Sequence, residues 1–311
     1  MSSSTLFERY PGNPILTAAD WPYTVNAVFN PGAARFDSDT VLLARVEDRS
    51  GLSHLCIARS SDGLQDWKVD AGRRLIPEVE SDPERFGVED PRITVAGDEY
   101  MIVYTGYSSA GPLVRLAATR DFQTYERHGT LMPPDDKDAA LFPYPFGGRW
   151  ALIHRPVATA PRPMAHIWLS WSPDLHFWGD HTILLPAREG GWWDASKVGL
   201  GPPPLETERG WLLVYHGVRV TVSGSIYRLG LALLDREDPT RVLARSSEWV
   251  FGPEAPYELS GDVPGVVFPC GWTLGDDGDT IHLYYGASDT SICVATASLA
   301  ALLAWLERHS S

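Results

Sequence analysis

The sequence predicts an all-β protein, a five-bladed β-propeller with a short C-terminal helix, and three observations predict it. Apolar, aromatic-rich runs alternate with Gly-, Pro- and Asp-rich turns over most of the 311 residues, the pattern of strands joined by tight connections. Helical periodicity is convincing only at Ser298–His309, where a Ser N-cap precedes an apolar stripe. A unit of apolar strand, turn, second strand ending in small residues, and Asp-containing turn with a nearby aromatic recurs along the chain. Its copies begin at Thr40, Glu99, Arg149, Gly210 and Asp279, about 50 to 70 residues apart, the last without its outer part. That spacing suits propeller blades. A large β-sandwich is the alternative, but it needs no such period. The five units are read as one domain over residues 1–311.

Composition narrows the function. Forty acidic against 26 basic side chains give a net charge of −14, which repels phosphodiester backbones and anionic lipid. No apolar run approaches the ~20 residues needed to cross a bilayer. The opening MSSSTLFERYPGNPIL lacks the basic-then-apolar order of a signal peptide. Cys56, Cys270 and Cys293 are scattered and odd in number, neither a disulfide framework nor a metal spacing. A cytoplasmic location is therefore expected, with no nucleic-acid or membrane partner; a homo-oligomer is left open. No Gly-rich phosphate loop, H-E-x-x-H, C-x-x-C or G-x-S-x-G occurs. Asp276, Asp277 and Asp279 read as a hairpin turn rather than a calcium loop, so no metal and no cofactor are expected.

In a propeller, the starts of the inner strands converge on one end of a central channel. Polar residues gather there in this sequence: Asn30-Pro31-Gly32, Glu89-Asp90-Pro91-Arg92, Lys137-Asp138, Lys197 and Asp289. Pro91 stiffens the backbone that carries Asp90, with Glu89 raising and Arg92 lowering its proton affinity. A carboxyl held ready with a proton is what protonation of a glycosidic oxygen requires. Cations follow in successive units: Lys137, Arg155, Lys197 and His216. Any one could be a structural ion pair, but together they suggest a phosphate or carboxylate site. Trp21, Tyr23, Tyr107, Trp192, Trp193, Tyr227 and Tyr257 supply flat rings suited to sugar faces. Among them Trp192-Trp193-Asp194, in a Gly-flanked loop, is the best sugar platform.

The set NPGA (from Asn30), RVEDRSG (from Arg45), GVEDPRIT (from Gly87), KDAALFP (from Lys137), HRP (from His154), KVGLGPPP (from Lys197), YHGV (from Tyr215), YRLGLALLD (from Tyr227) and VVFPCG (from Val266) with YYGASD (from Tyr284) resembles glycoside hydrolase family 130 over about residues 10–300. That family comprises five-bladed β-mannoside phosphorylases and related mannosidases. The resemblance implies that Asp90 is the catalytic acid. It implies that Lys137, Arg155, Lys197 and His216 bind phosphate, with Tyr227 nearby. It implies that Asn30, Arg45 and Asp289 contact the transferred mannose; Glu89, Arg92 and Asp138, gathered at the same end, complete the expected substrate-binding set. Phosphate would then attack the anomeric carbon, giving α-mannose 1-phosphate with inversion, and the proton is expected to pass through the mannose 3-hydroxyl. The Glu-Asp-Pro-Arg form resembles the branch acting on β-1,2-mannosides. A hydrolytic mannosidase is the first rival, but it has no use for an anion site and needs a second carboxyl as base. A β-1,4-mannoside phosphorylase and a non-catalytic sugar-binding propeller are the others.

Overall fold

The computed structural model describes residues 6–158 and 164–310. Its strands, in chain order, are β1 (Glu8–Arg9), β2 (Ala27–Phe36), β3 (Asp39–Glu47), β4 (Ser53–Ser60), β5 (Lys68–Leu75), β6 (Val88–Ala96), β7 (Glu99–Ser108), β8 (Gly111–Thr119), β9 (Glu126–Met132), β10 (Asp136–Leu141), β11 (Trp150–Ala158), β12 (Met164–Ala165), β13 (Ile167–Ser172), β14 (Gly179–Leu185), β15 (Lys197–Leu200), β16 (Leu205–Thr207), β17 (Gly210–Thr221), β18 (Gly224–Leu234), β19 (Val242–Arg245), β20 (Val267–Leu274), β21 (Thr280–Ala287) and β22 (Ser291–Ser298). Two α-helices, α1 (Pro256–Leu259) and α2 (Leu299–His309), complete the regular structure with two short 3-10 turns. The protein is all-β, as expected.

The strands form antiparallel meanders. β2–β5 and β6–β9 are separate four-stranded sheets. A ten-stranded sheet holds the meanders β10-β11-β13-β14 and β15-β17-β18-β19, linked by β12 between β11 and β15, with β16 beside β17. The last sheet runs β20-β21-β22 and is completed by β1 from the N-terminal end, Glu8 facing Thr296 and Arg9 facing Ala295. Inner strands are covered on both faces, so they read as continuous apolar runs such as Val41–Ala44. Outer strands such as β5 carry Lys68, Arg73 and Arg74, charges that blunt a free edge.

The core lies between meanders. One apolar cluster joins β2–β4 to β6–β8 through Leu43, Ile57, Ile93 and Tyr104. Others join β7–β9 to β10 and β11, and β10, β11 and β13 to β15, β17 and β18. The next joins β17 and β18 to β20–β22, and a further one brings Tyr284, Ile292 and Val294 of the last sheet against Val28, Leu42 and Ala44 of the first. The recurring Asp turns are real local devices: Asp62, Asp121, Asp174 and Asp235 each accept two backbone N–H bonds in the connection between a third and a fourth strand. Asp277 does the same between β20 and β21, a hairpin turn as read from sequence. Helix α2 is capped by Ser298 Oγ, which accepts from Ala301 N at 3.1 Å, and buries Leu302 and Leu306 against the final sheet.

Candidate active site

Three inner strands break register at equivalent places. The β2–β3 ladder slips between Phe29 and Gly32, the β6–β7 ladder between Glu89 and Arg92, and the β10–β11 ladder between Lys137 and Ala140. At each slip stands a residue with left-handed backbone: Asn30 at φ 45°, Asp90 at φ 49° and Asp138 at φ 54°. Asn and Asp are the non-glycine residues that adopt this region most readily, and a bulge re-aims the side chain it carries. All three side chains are buried. A fourth slip, between Pro269 and Gly271, surrounds the apolar Cys270.

Asp90 is the centre of the first group. Asn30 Nδ2 donates to its Oδ1 at 2.9 Å, Arg45 Nη1 donates to the same oxygen at 3.2 Å, and Lys137 Nζ stands 3.8 Å from Oδ2. Arg45 also donates through Nη2 to Glu89 Oε1 at 2.9 Å and through Nε to Ser53 Oγ at 3.0 Å. Burial would raise the Asp90 pKa, but Arg45, Lys137 and the Asn30 bond outweigh it and hold the carboxyl below its ordinary value. Glu89 moves the other way, since its burial, with Asp90 adjacent, outweighs Arg45 and Lys137. Asp289, at φ 54° in the turn between β21 and β22, is pushed up to about 6 by burial and by Asp90.

Asp138 organises the second group. Arg155 Nε donates to its Oδ2 at 2.8 Å, His216 Nε2 lies 3.5 Å from Oδ2, and Arg92 Nη2 lies 3.5 Å from Oδ1. Burial alone would raise Asp138, but Arg155, Lys137 and Arg92 hold it well below the usual carboxylate range. Lys137 and Arg155 face each other across the β10–β11 ladder. Burial pulls Lys137 down, but Asp90 and Asp138 outweigh it and keep its pKa above the ordinary value. Gly199 of β15 faces His216 on β17, and a Cβ there would fall 2.5 Å from Asp138 Oδ2 and 2.6 Å from His216 Nε2. Only a glycine leaves room for that approach. Lys197, two residues earlier, shares this face of β15 and makes no ion pair among the described residues. Tyr227 stacks on His216 with ring centroids 6.2 Å apart, and Phe268 lies 4.8 Å from the same imidazole. Asn30 Oδ1, Asp138 Oδ1 and His216 Nδ1 are buried without a hydrogen-bond partner, and buried polar atoms of this kind mark places where a ligand or water completes the set.

Several sequence expectations change. His216 was counted among the cations; burial pushes it down to about 3, assisted by Arg155, Arg92 and Lys137 against Asp138, so at neutral pH it is uncharged. Arg92 was expected on the substrate, yet it is 1% exposed. Its Nε donates to Gly201 O at 2.7 Å, its Nη2 to Leu200 O at 2.7 Å and its Nη1 to the Asp90 carbonyl at 3.1 Å. It ties β6 to β15. Asp138 is likewise fully buried, its Oδ2 accepting from Arg155 and its Oδ1 without a hydrogen-bond partner. Asp90 is poised as a carboxylate, and the residues that set it are Arg45, Lys137 and Asn30 more than Arg92. Of the aromatics, Trp21 is buried, Tyr23 bonds His54, Tyr257 packs on the last sheet's core, and Trp193 stacks on Tyr215, while Tyr107 and Trp192 stay exposed. His154 belongs to a separate hydrogen-bonded group, with Nδ1 2.6 Å from Asp136 Oδ2 and Nε2 2.7 Å from Ser170 Oγ. Sequence reasoning gave no role to Ser53, Gly199 or Phe268, although KVGLGPPP contains Gly199 and VVFPCG contains Phe268.

The chain is similar to known proteins along nearly its whole length. A family model described as β-1,4-mannooligosaccharide phosphorylase matches residues 7–308. A β-1,4-mannooligosaccharide phosphorylase from Ruminococcus albus is 30% identical over 97% of this chain and 91% of its own length. A β-1,2-mannobiose phosphorylase from Listeria innocua is 38% identical over 83% of this chain and 70% of its own. A solved structure of β-1,2-mannobiose phosphorylase from Listeria innocua, in complex with β-1,2-mannobiose, superposes with a TM-score of 0.89 at 31% identity, covering 97% of this chain and 99% of that one. With the match running nearly end to end and the Asn30, Asp90 and Asp138 bulges converging as described, the chain belongs to glycoside hydrolase family 130.

Proposed function

We propose that the protein is an inverting β-mannoside phosphorylase, a hexosyltransferase that uses inorganic phosphate to cleave β-1,2-linked mannobiose or short β-1,2-mannosides. The observation that carries this reading is a buried carboxylate, Asp90, beside Lys137, which faces the Arg155 held by Asp138, with Lys197 on β15 making no ion pair among the described residues. Phosphate held by Lys137, Arg155, Lys197, His216 and Tyr227 supplies the nucleophile. One of its oxygens forms the new bond to C1 while the bond from C1 to the glycosidic oxygen breaks. The proton that the leaving oxygen needs comes from Asp90, by way of the mannose 3-hydroxyl. The products are α-mannose 1-phosphate and the shortened acceptor. Asn30, Arg45, Glu89 and Asp289 hold the transferred mannose, with Arg92 and Asp138 acting behind them. The reaction as written draws on no cofactor beyond phosphate as co-substrate.

The low pKa of Asp90 fits an acid only if something raises it, and the anion does so. Phosphate arriving among Lys137, Arg155 and Lys197 offsets their pull and adds negative charge, both of which favour the protonated carboxyl. The β-1,2 linkage is supported by Glu89 preceding Asp90 and by the β-1,2-mannobiose phosphorylases among the relatives. We read the fold as one five-bladed propeller over residues 1–311. Support comes from the meanders' core clusters, which join each to the next and the last to the first, and from β1 completing the final sheet. A cytoplasmic setting, where a sugar phosphate is retained, is supported by three free, buried cysteines and by the lack of any membrane-spanning helix among the described residues.

Incubation with β-1,2-mannobiose tests the reading. Mannose and α-mannose 1-phosphate should appear only when phosphate is supplied. Mannose released at the same rate without phosphate would instead make the enzyme a hydrolase. Phosphate-dependent cleavage confined to β-1,4-mannosides would keep the mechanism and change the linkage.

A further inference from the structure

We infer that Trp192 and Trp249 form a second carbohydrate platform that takes mannosyl units remote from Asp90; the identity of the sugar rests on the reading proposed above. A cleft of about 420 Å³ is lined by Gly191, Trp192, Trp193, Ser247, Glu248 and Trp249. It lies between the segment leading into β15 and the segment that follows β19. The ladders place it at the Lys197 end of this meander: Lys197 faces Val218, Val218 faces Tyr227, and the neighbouring Gly217 and Arg228 meet Trp193 and Trp249.

The two exposed rings are built in rather than left over. Trp192 is 42% exposed and Trp249 40% exposed. Each is backed on one face by a guanidinium, Arg188 at 4.6 Å from the Trp192 centroid and Arg228 at 4.9 Å from the Trp249 centroid. Arg188 is itself fixed, donating to the fully buried Asp194 at 3.2 Å and to Ser246 O at 3.0 Å. Between the exposed rings, Trp193 packs over Gly217 and Gly230, where a Cβ would meet its ring, and donates from Nε1 to Ser247 O at 3.0 Å. That bond ties the two segments together. Trp192-Trp193-Asp194 is thus an exposed ring, a packed ring and a buried anchor in succession.

The chemistry on offer is two rigid apolar faces with a carboxylate and a hydroxyl at the rim. A pyranose presents the complement: an apolar face of C–H groups edged with hydroxyls. A nucleic acid is disfavoured by Glu248 and by the net charge of −14. The occupant is therefore an uncharged oligomannoside whose other end is in the active site.

Kinetics with substrates of different length test the platform. Trp192→Ala and Trp249→Ala should each lower kcat/KM for β-1,2-mannotetraose relative to β-1,2-mannobiose by about threefold to tenfold, the loss of one aromatic contact. Trp192→Phe should recover part of it. An unchanged ratio of tetraose to biose overturns the proposal, as does an equal fall on both. Calorimetric binding separates this from the reaction: Asp90→Asn protein should bind β-1,2- or β-1,4-linked mannotetraose, and adding Trp192→Ala should weaken that binding by the same factor. Binding that ignores the Trp substitutions, or binding to neither sugar, overturns the platform whatever the wild-type enzyme catalyses. A wild-type enzyme that fails to make mannose 1-phosphate while the Trp-dependent binding persists upholds the platform and overturns the reaction.

Discussion

Replacing Asn30 by Gly should release the proton affinity of Asp90. Glycine accepts the left-handed backbone at φ 45° and removes the Nδ2 donor 2.9 Å from Asp90 Oδ1. A hydrogen bond to a charged acceptor is worth about 1.5–3 kcal/mol. About 1.4 kcal/mol of differential interaction moves a pKa by one unit, so Asp90 should rise by roughly one to two units. An acid must hold its proton to donate it, and the alkaline limb of the kcat/KM profile for phosphorolysis should move to higher pH by that amount. Stability reports the same change. The folded pKa of Asp90 lies below the unfolded value of about 3.9. Its contribution is therefore full above that value and is lost as pH falls through the folded pKa. The variant should be less stable than wild type by about 1.5–3 kcal/mol from this term at neutral pH, plus up to ~1 kcal/mol for glycine's backbone entropy. In urea titrations, that gap should narrow below about pH 4 to the entropic part alone. An alkaline limb that stays in place, or a stability gap that is constant from neutral to acid pH, would refute the account of how Asp90 is set.

Three further outcomes follow from the same contacts. Asp90→Asn should keep the fold and phosphate binding yet lose about 10²- to 10⁴-fold in turnover of an unactivated mannoside; retention of a tenth of wild-type activity would remove Asp90 as the acid. Arg155→Ala should raise the KM for phosphate by roughly ten- to a hundredfold, the cost of one charge-assisted contact at about 1.5–3 kcal/mol, with a much smaller effect on the mannoside; equal effects would make Arg155 structural. Phosphate binding near neutral pH should take up a proton, seen as calorimetric heats that vary with the ionisation enthalpy of the buffer, and heats independent of buffer would contradict the coupling of the anion to Asp90.

What sequence can reveal here follows the range of the interaction. The Asp turns at Asp62, Asp121, Asp174 and Asp235 are closed within three residues, so they are legible as a period. The cap at Ser298 is local in the same way. Asp90 could be singled out because Pro91 stiffens its strand, and Asn30 and Asp138 because polar residues stand at matching places in successive units; that all three take left-handed backbone came only from the structure. Pairings across the centre were not legible. Arg92 reaches Gly201 O and Leu200 O across more than a hundred residues, and a charged side chain bonded to backbone carbonyls leaves no partner residue to find by pattern. The neutrality of His216 depends on burial and on three cations from other strands, none of which is adjacent in sequence. Trp192 resembles a sugar platform and Trp193 does not act as one, because only the fold decides which ring meets Tyr215.

The cation cluster is informative through its balance. Arg45, Arg92, Lys137 and Arg155 stand within ion-pair distance of Glu47, Glu89, Asp90 and Asp138, four charges against four, and Lys197 and Asp289 outside these pairs add one of each sign. His216 is neutral among them. A permanently positive pocket would hold phosphate tightly and keep Asp90 ionised, which opposes the transfer of its proton. In the balanced arrangement, the added anion tips the local charge negative, and the nearest remedy is a proton on a carboxyl. Asp138 is held too low by Arg155 to take it. Asp289 and Glu89, already raised by burial, bind it most readily. Asp90, held down by Arg45, Lys137 and Asn30, gains affinity as the anion offsets Lys137. On the mechanism proposed above, phosphate binding and the protonation of these carboxyls are therefore coupled. Lys197 on β15, which makes no ion pair among the described residues, is the cation left to draw the anion in.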